Sequence, residues 1–336
     1  MSFEDTPYSA YQLRKRGSKE EGGITMSELI VSPSPHIRSD VSIEKIMYSV
    51  IIALIPTTAC GVYLFGVYAL LIIITCILSA VLTEYLALRL MDRKFVMDGS
   101  ALITGLLLAL CLPPRLPLWI AAIGAVFAIA LAKCAFGGLG YNIFNPALSG
   151  RAFLTISWPV QMTTWTNPLT CDAVTTATPL GLLKMQQITT PYINLALGNV
   201  GGSIGETSAI AILIGGLYLI AKRYIDWRTP LAYIATVGVM MVLLGQNPIF
   251  HILAGGLFLG AFFMATDYVT TPITKEGRTL FGIGAGVIVV VIRLIGGYPE
   301  GVMFSILLMN AFTPLIDRHV KPRVYGVKGK KFYFIC

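Results

Sequence analysis

Residues 99–114 read GSALITGLLLALCLPP, and residues 254–272 read AGGLFLGAFFMATDYVTTP. Each is an apolar run marked by glycine and closed by proline, shorter than the roughly 20 apolar residues that cross a bilayer as one helix. They sit in a chain of 336 residues that is 55% hydrophobic and 12% charged, with a mean hydropathy of +0.75. A soluble domain carries about 25% charged residues, so the sequence is that of an integral membrane protein. Paired short or Gly/Pro-broken segments in such a chain point to an internal site near the bilayer midplane.

Working outward, apolar segments at 46–64, 66–89, 100–113, 116–134 and 143–160 form one block. Segments at 206–222, 229–246, 248–266, 279–297 and 300–317 form a second. After the broken third span of each block come LWIAAIGAVFAIALAK (118–133) and LFGIGAGVIVVVIRLIGG (280–297). GGLGYNIFNPAL (137–148) and GGYPEGVMFSILLMNAFTPL (296–315) then close the blocks, each a Gly-Gly turn followed by Asn and Pro. An odd number of spans per block makes the repeats inverted. The expected fold is therefore an all-α polytopic membrane protein of about ten transmembrane helices. They form two inverted five-helix repeats with short or broken third and eighth spans. The chain divides into an N-terminal segment (1–42), the first repeat (43–160), a loop (161–205), the second repeat (206–317) and a basic tail (318–336).

Charge gives the sidedness. Of the 25 Lys and Arg, only Arg115 and Lys184 fall in one set of connections, and Arg151 and Arg293 fall within spans. All others lie in the tails or the opposite connections. The positive-inside rule places both termini in the cytoplasm and 161–205 outside. It also explains the net charge of +8 without nucleic acid. Residues 1–25 lack the apolar stretch of a cleavable signal and read as a cytoplasmic extension. The six cysteines, Cys60, Cys76, Cys111, Cys134, Cys171 and Cys336, form no CxxC pair. His36, His251 and His319 are far apart in sequence, so no metal framework is expected.

Charged side chains in spans are functional candidates. Lys133 and Glu84 read equally as snorkelling side chains, and Glu206 as a favourable charge opening the sixth span. Arg151 has no easy path to water, and it calls for an anionic group or an acidic partner. GGLGYNIFNPALSGR (137–151) offers glycines for close backbone approach, the amides of Asn142 and Asn145, and Pro146 for a first helical turn. It reads as a tight turn or as a corner that binds a cofactor or ion. GNVGGSIGETSA (198–209) lacks the GK[ST] of a P-loop, but amides at a helix start favour anions. Outside the membrane, CDAVTTATPLG (171–181) is a hydroxyl-rich tract whose plain reading is a solvated turn.

MDGSALITGLLLALCLPP (97–114), LAKCAFGGLGYNIFNPALSGRAFL (131–154), GNVGGSIGETSA (198–209) and FMATDYVTTPIT (263–274) together resemble the D subunit of Rnf complexes. The resemblance covers about residues 27–320. It implies a bacterial or archaeal cytoplasmic-membrane subunit of a ferredoxin:NAD+ oxidoreductase that moves Na+ or H+. It also implies FMN joined to threonine through a phosphoester, at the end of an Asp-x-x-(Ser/Thr)-Gly-Ala-Thr pattern. Here the pattern is Asp172-Ala173-Val174-Thr175-Thr176-Ala177-Thr178, which makes Thr178 the acceptor and Asp172, Thr175 and Ala177 the attachment motif. Thr176 departs from the usual glycine.

The implied partners are other Rnf-type membrane subunits, a second covalent FMN subunit, and cluster-bearing and NADH-side subunits. A second, non-covalent flavin such as riboflavin fits the same picture. Asn142, Asn145, Arg151, Glu206, Thr207 and Asp267 are the candidate flavin or ion contacts. Two other readings compete: the B subunit of a sodium-pumping NADH:quinone oxidoreductase, which shares the threonine, and a flavin-free inverted-repeat transporter.

Overall fold

A computed structural model describes residues 41–93, 95–166, 168, 178–187, 189–206, 208–297 and 300–321. Helix α1 (Ile43–Phe65) starts where the Ser42 hydroxyl accepts the Lys45 N–H at 3.2 Å, with Glu44 in the first turn. Both features satisfy a helix N-terminus. Gly66, at φ 76°, turns the chain into α2 (Val67–Leu90). Next come α3 (Ser100–Leu110), α4 (Leu118–Ala130) and α5 (Pro146–Ser157). Three short helices follow: α6 (Pro159–Met162), α7 (Pro179–Gln186) and α8 (Tyr192–Leu197). Then come α9 (Ala209–Ala221), α10 (Arg228–Leu243), α11 (Pro248–Leu253) and the single turn α12 (Leu257–Leu259), which runs into a π-turn at Gly260–Met264. α13 (Lys275–Leu294) and α14 (Val302–His319) end the described chain.

Among the described residues there is no strand. Four stretches among the described residues are long and apolar enough to cross a membrane: Ile43–Phe65, Val67–Leu90, Leu118–Phe136 and Lys275–Leu294. Shorter apolar helices accompany them at Ser100–Leu110, Ala209–Ala221 and Arg228–Leu243. Leu78, Leu82, Val239 and Val242 stand exposed on these helices, an arrangement that suits lipid and not water. The chain is a multi-pass membrane protein.

The breaks legible in the sequence have physical consequences. The 11 residues of α3 span about 16 Å at 1.5 Å per residue, half of a hydrocarbon core about 30 Å thick. Its last carbonyls therefore end at depth and need donors. The loop before α9 folds in to provide them. Gly205 N–H reaches Leu110 C=O at 2.7 Å, and Ile204 N–H reaches Leu112 C=O at 3.1 Å. A β-carbon on Gly205 would lie 2.6 Å from Leu110 Cβ, and one on Gly61 would lie 2.5 Å from Ile204 O. Glycine at both positions is what admits the loop.

This insertion corrects the expectation that Glu206 opens the sixth span. α9 begins at Ala209 with Ser208 as its cap, and Glu206 stays in the inserted loop. Likewise the apolar run 143–160 is two helices, α5 and α6, parted at Trp158.

In the second half, α11 stops after six residues, and the chain straightens at Ala254 and turns at Gly255, φ 73°. Arg293 of α13 fills the gap left in the hydrogen bonding. Its guanidinium donates to His251 C=O at 2.5 Å and Ala254 C=O at 3.2 Å. The halves meet at two asparagines. Asn145 Nδ2 donates to Met264 C=O at 3.3 Å. With its amide turned to satisfy both neighbours, Asn310 accepts the Asn145 N–H at 3.1 Å. The fully buried Tyr233 hydroxyl donates to Ser305 Oγ at 2.6 Å, and Ser305 donates in turn to Val302 C=O at 2.8 Å.

Candidate functional site

α5 carries candidate residues at both of its ends, and two groups of cavities follow from that. At its start, Asn145 caps the helix by accepting the N–H groups of Ala147 and Leu148 at 3.1 and 3.3 Å. One turn and a half later, about 9 Å along the axis, Arg151 points into a different environment.

The cavity at the α5 start measures about 110 Å³. Its polar rim includes Ser100, Lys133, Asn142, Asn145 and Asp267, and its faces include Ile46, Val50, Ile103, Leu107 and Phe262. Lys133 is buried and does not snorkel, and neither does Glu84. Lys133 Nζ makes a short ion pair with Glu84 and a 2.5 Å bond to Ser100 Oγ. Ser100 Oγ in turn donates to Asp98 at 2.5 Å. Asp267, in the connection after the π-turn, accepts Val269 N–H at 3.4 Å and the Thr270 hydroxyl at 3.2 Å. Burial raises its carboxyl pKa above the ordinary value, and those two hydrogen bonds oppose the rise. Of the candidates named from sequence, Asn142, Asn145 and Asp267 thus come together.

Arg151, Glu206 and Thr178 come together at the other end. Arg151 donates to Glu206 at 2.7 Å, to Glu300 at 2.5 Å and to Ser203 Oγ at 3.4 Å. The acidic partner expected for Arg151 is thus two carboxylates. Burying a guanidinium in a membrane protein requires such partners. Arg293 adds a bond to the backbone C=O of Glu300 at 3.2 Å.

Thr178 is buried at 6% exposure and caps α7, its Oγ1 accepting the Gly181 N–H at 3.2 Å. It lines two cavities. The one of about 70 Å³ also holds Arg151, Thr155, Trp165, Glu300, Met303 and Phe304. The one of about 20 Å³ holds Gly201, Gly202, Glu206 and Glu300. Thr178 and Glu300 are the residues common to both. Asp172, Thr175, Ala177 and Thr207 lie outside the described residues.

Sequence reasoning missed Glu300 and Lys184. Glu300 stands in the sequence YPEG (298–301), a lone acid between two apolar spans, and that isolation is the available signal. Lys184 Nζ donates to the carbonyls of Arg293, at 3.3 Å, and Gly296. It fastens α7 to the end of α13. No group of three or more His, Cys, Asp or Glu is placed to hold a metal among the described residues.

Comparison with known proteins places this geometry in context. A family model described as the NQR2, RnfD, RnfE family matches residues 30–326. The D subunit of the proton-translocating ferredoxin:NAD(+) oxidoreductase complex of Clostridium ljungdahlii is 50% identical over 92% of this chain and 99% of its own length. The D subunit of the Na(+)-translocating ferredoxin:NAD(+) oxidoreductase complex of Acetobacterium woodii is 52% identical over 89% and 96%. The D subunit of the ion-translocating oxidoreductase complex of Stutzerimonas stutzeri is 44% identical over 86% and 94%. The chain belongs to the NQR2, RnfD, RnfE family.

Proposed function

We propose that the chain is a membrane electron-transfer subunit of an Rnf-type ferredoxin:NAD+ oxidoreductase that drives Na+ or H+ across a bacterial or archaeal cytoplasmic membrane, with FMN held covalently on Thr178. The observation that carries this reading is Thr178 itself. It is the last residue of the Asp172–Thr178 pattern, and its hydroxyl heads a helix beside Arg151 and two cavities. Relatives spanning nearly the whole chain are named as D subunits of such complexes.

The residues at Thr178 fit a phosphoester. The N–H groups at the start of α7 favour an anion, and the Arg151 guanidinium, paired with Glu206 and Glu300, offsets the two carboxylates that would otherwise repel it. These cavities are far smaller than the about 300–1,000 Å³ of ordinary ligand pockets, so the tether is gripped at its phosphate end. That leaves the ring toward the surface, within reach of a second covalent flavoprotein subunit. A bound flavin supplies the one- and two-electron chemistry; the protein holds it, orients it and sets the charge around it. Thr178 is an attachment point and moves no proton.

On the opposite side of the membrane, the 110 Å³ cavity, also below that range, suits only part of a second, non-covalent flavin such as riboflavin, whose remainder would lie outside it. Apolar faces would flank a planar ring, and Asn142, Asn145 and Asp267 would meet its hydrogen-bonding edge. The same carboxylate is the first place to seek an ion contact. Ten spans in two inverted repeats fit this arrangement, with α1–α5 in one repeat and α9, α10, α11–α12, α13 and α14 in the other. Both termini are then cytoplasmic and Thr178 external. The remaining Rnf-type membrane, cluster-bearing and NADH-side subunits are the expected partners.

The test is fluorescence of the denatured chain in a gel, with Thr178→Ala beside it. The proposal expects a fluorescent wild-type band and a dark variant. A dark wild-type band, from cells that contain an active flavin transferase, removes the redox reading and leaves a flavin-free transporter.

A further inference from the structure

Thr178 is poorly presented as a substrate. Its hydroxyl is buried, already accepts the Gly181 N–H, and opens only onto cavities of about 70 and 20 Å³. An enzyme that attaches a flavin must bring a phosphorus atom to this oxygen from a free direction. The described arrangement leaves room for a tether toward the surface but none for a transferase's active site around that oxygen.

The segment that buries Thr178 is held by few contacts. Leu180 packs in a small core of its own with Leu195, Phe250 and Ala254, apart from the main one. Four residues on, the exposed Lys184 reaches the carbonyls of Arg293 and Gly296 at the end of α13. Lysine is favoured there by the orphan carbonyls and negative end of a helix. Segments with a small local core and one exposed anchor open at a low free-energy cost, well below global unfolding.

We infer that Lys184 is the positioning residue of a latch: Thr178 is modified while 178–187 stands undocked, and the segment then closes onto α13 with the flavin attached. This rests on Thr178 being the flavin acceptor. In the open form Thr178 Oγ1 attacks the flavin-side phosphorus of a flavin dinucleotide. The Oγ1–P bond forms, the pyrophosphate P–O bond breaks, and a nucleoside monophosphate leaves. The hydroxyl proton passes to a base of the transferase, and no electrons move. On closing, phosphoryl oxygens replace the hydroxyl as acceptors for the α7 N–H groups, and Lys184 returns to its carbonyls.

The experiment uses the full chain, produced without transferase and purified in detergent, then mixed with flavin transferase and flavin dinucleotide. Covalent fluorescence is followed in time for wild type, Lys184→Ala, Lys184→Arg and Leu180→Ala. Where opening is fast relative to transfer, the rate follows the open population. Lys184→Ala should label about threefold faster, the loss of one net hydrogen bond at an exposed site. Leu180→Ala should label about tenfold faster, since its buried side chain is the main hold. Lys184→Arg should keep the wild-type rate. Amide hydrogen exchange across 180–187 in the same samples reports opening independently. Faster exchange in Lys184→Ala with an unchanged labelling rate would overturn the latch. No labelling of any variant, by a transferase active on another flavoprotein, would instead overturn the assignment of Thr178.

Discussion

Lys133 and Arg293 occupy matching places in LAKCAFGG (131–138) and VIRLIGG (291–297), yet they are satisfied in different ways. Lys133 gives its protons to side chains, Glu84 and Ser100. Arg293 gives three of its own to backbone carbonyls, those of His251, Ala254 and Glu300. Side-chain partners can be exchanged by mutation; carbonyls cannot. The Lys133 end also encloses the 110 Å³ cavity, whereas the Arg293 end is filled with ion pairs around cavities of about 70 and 20 Å³. One end is built to hold a molecule within it. The other is packed closely around the anchor of a tether.

The largest effect should come from breaking the backbone-satisfied end. Each buried carbonyl left unpaired costs about 1–3 kcal/mol, so Arg293→Met should abolish recovery of folded protein, and no second substitution should restore it. Lys133→Met strands Glu84, a loss of about 3–5 kcal/mol. Pairing it with Glu84→Leu should return most of the thermal stability, because removing both ions of a buried pair is often neutral. Thermal unfolding of the three proteins in detergent checks this. A rescue of Arg293→Met, or none of Lys133→Met, would erase the distinction.

An intermediate effect is expected at Asn145, which serves both halves. Asn145→Ala removes a helix cap, about 1 kcal/mol, and the bond to Met264 C=O. Tm should fall by a few degrees for a chain of this size, and non-covalent flavin recovered by acid extraction should fall with it, while fluorescence at Thr178 stays. Equal loss of both flavins would mean that the two ends are not separately built.

The smallest change in stability, with a distinct spectroscopic readout, belongs to Glu300. Glu300→Gln keeps a hydrogen-bonding shape but removes a negative charge beside Thr178. The tethered flavin should then hold an added electron more tightly. The reduced-to-oxidised ratio at fixed ambient potential should rise about tenfold, or about 59 mV for a one-electron couple. Spectroelectrochemical titration measures it. An unchanged potential would place the charges of the Arg151 cluster out of the flavin's reach.

How much of this was legible in the sequence follows the range of the interactions. The breaks at 99–114 and 254–272 were visible because glycine, proline and length are local properties. Asn145 and Asp267 stand out separately, but that they rim one cavity depends on the π-turn residue Met264 meeting the Asn145 cap, which no local pattern encodes. Arg151 announced its need for an acid by sitting within an apolar run. That Glu300 would share the role with Glu206 depends on the fold bringing residue 300 to residue 151. Glu206 was misplaced at a helix start because GNVGGSIGETSA resembles a lead-in loop. Its Gly205 instead lets backbone pack against the end of α3, and Gly61 of α1 admits Ile204 beside it. Lys184 looked like a stray positive charge outside the membrane until α13 ended beside it.

Thr178 competes with Thr175 and Thr176 for the role of flavin acceptor. The most direct test is tandem mass spectrometry of the proteolytic peptide spanning 171–187 from protein isolated with its native flavin transferase. The account predicts one flavin mononucleotide phosphoryl increment, with fragment ions that place it on Thr178 and leave Thr175 and Thr176 unmodified. An increment on either of those residues, or an unmodified peptide, would contradict it.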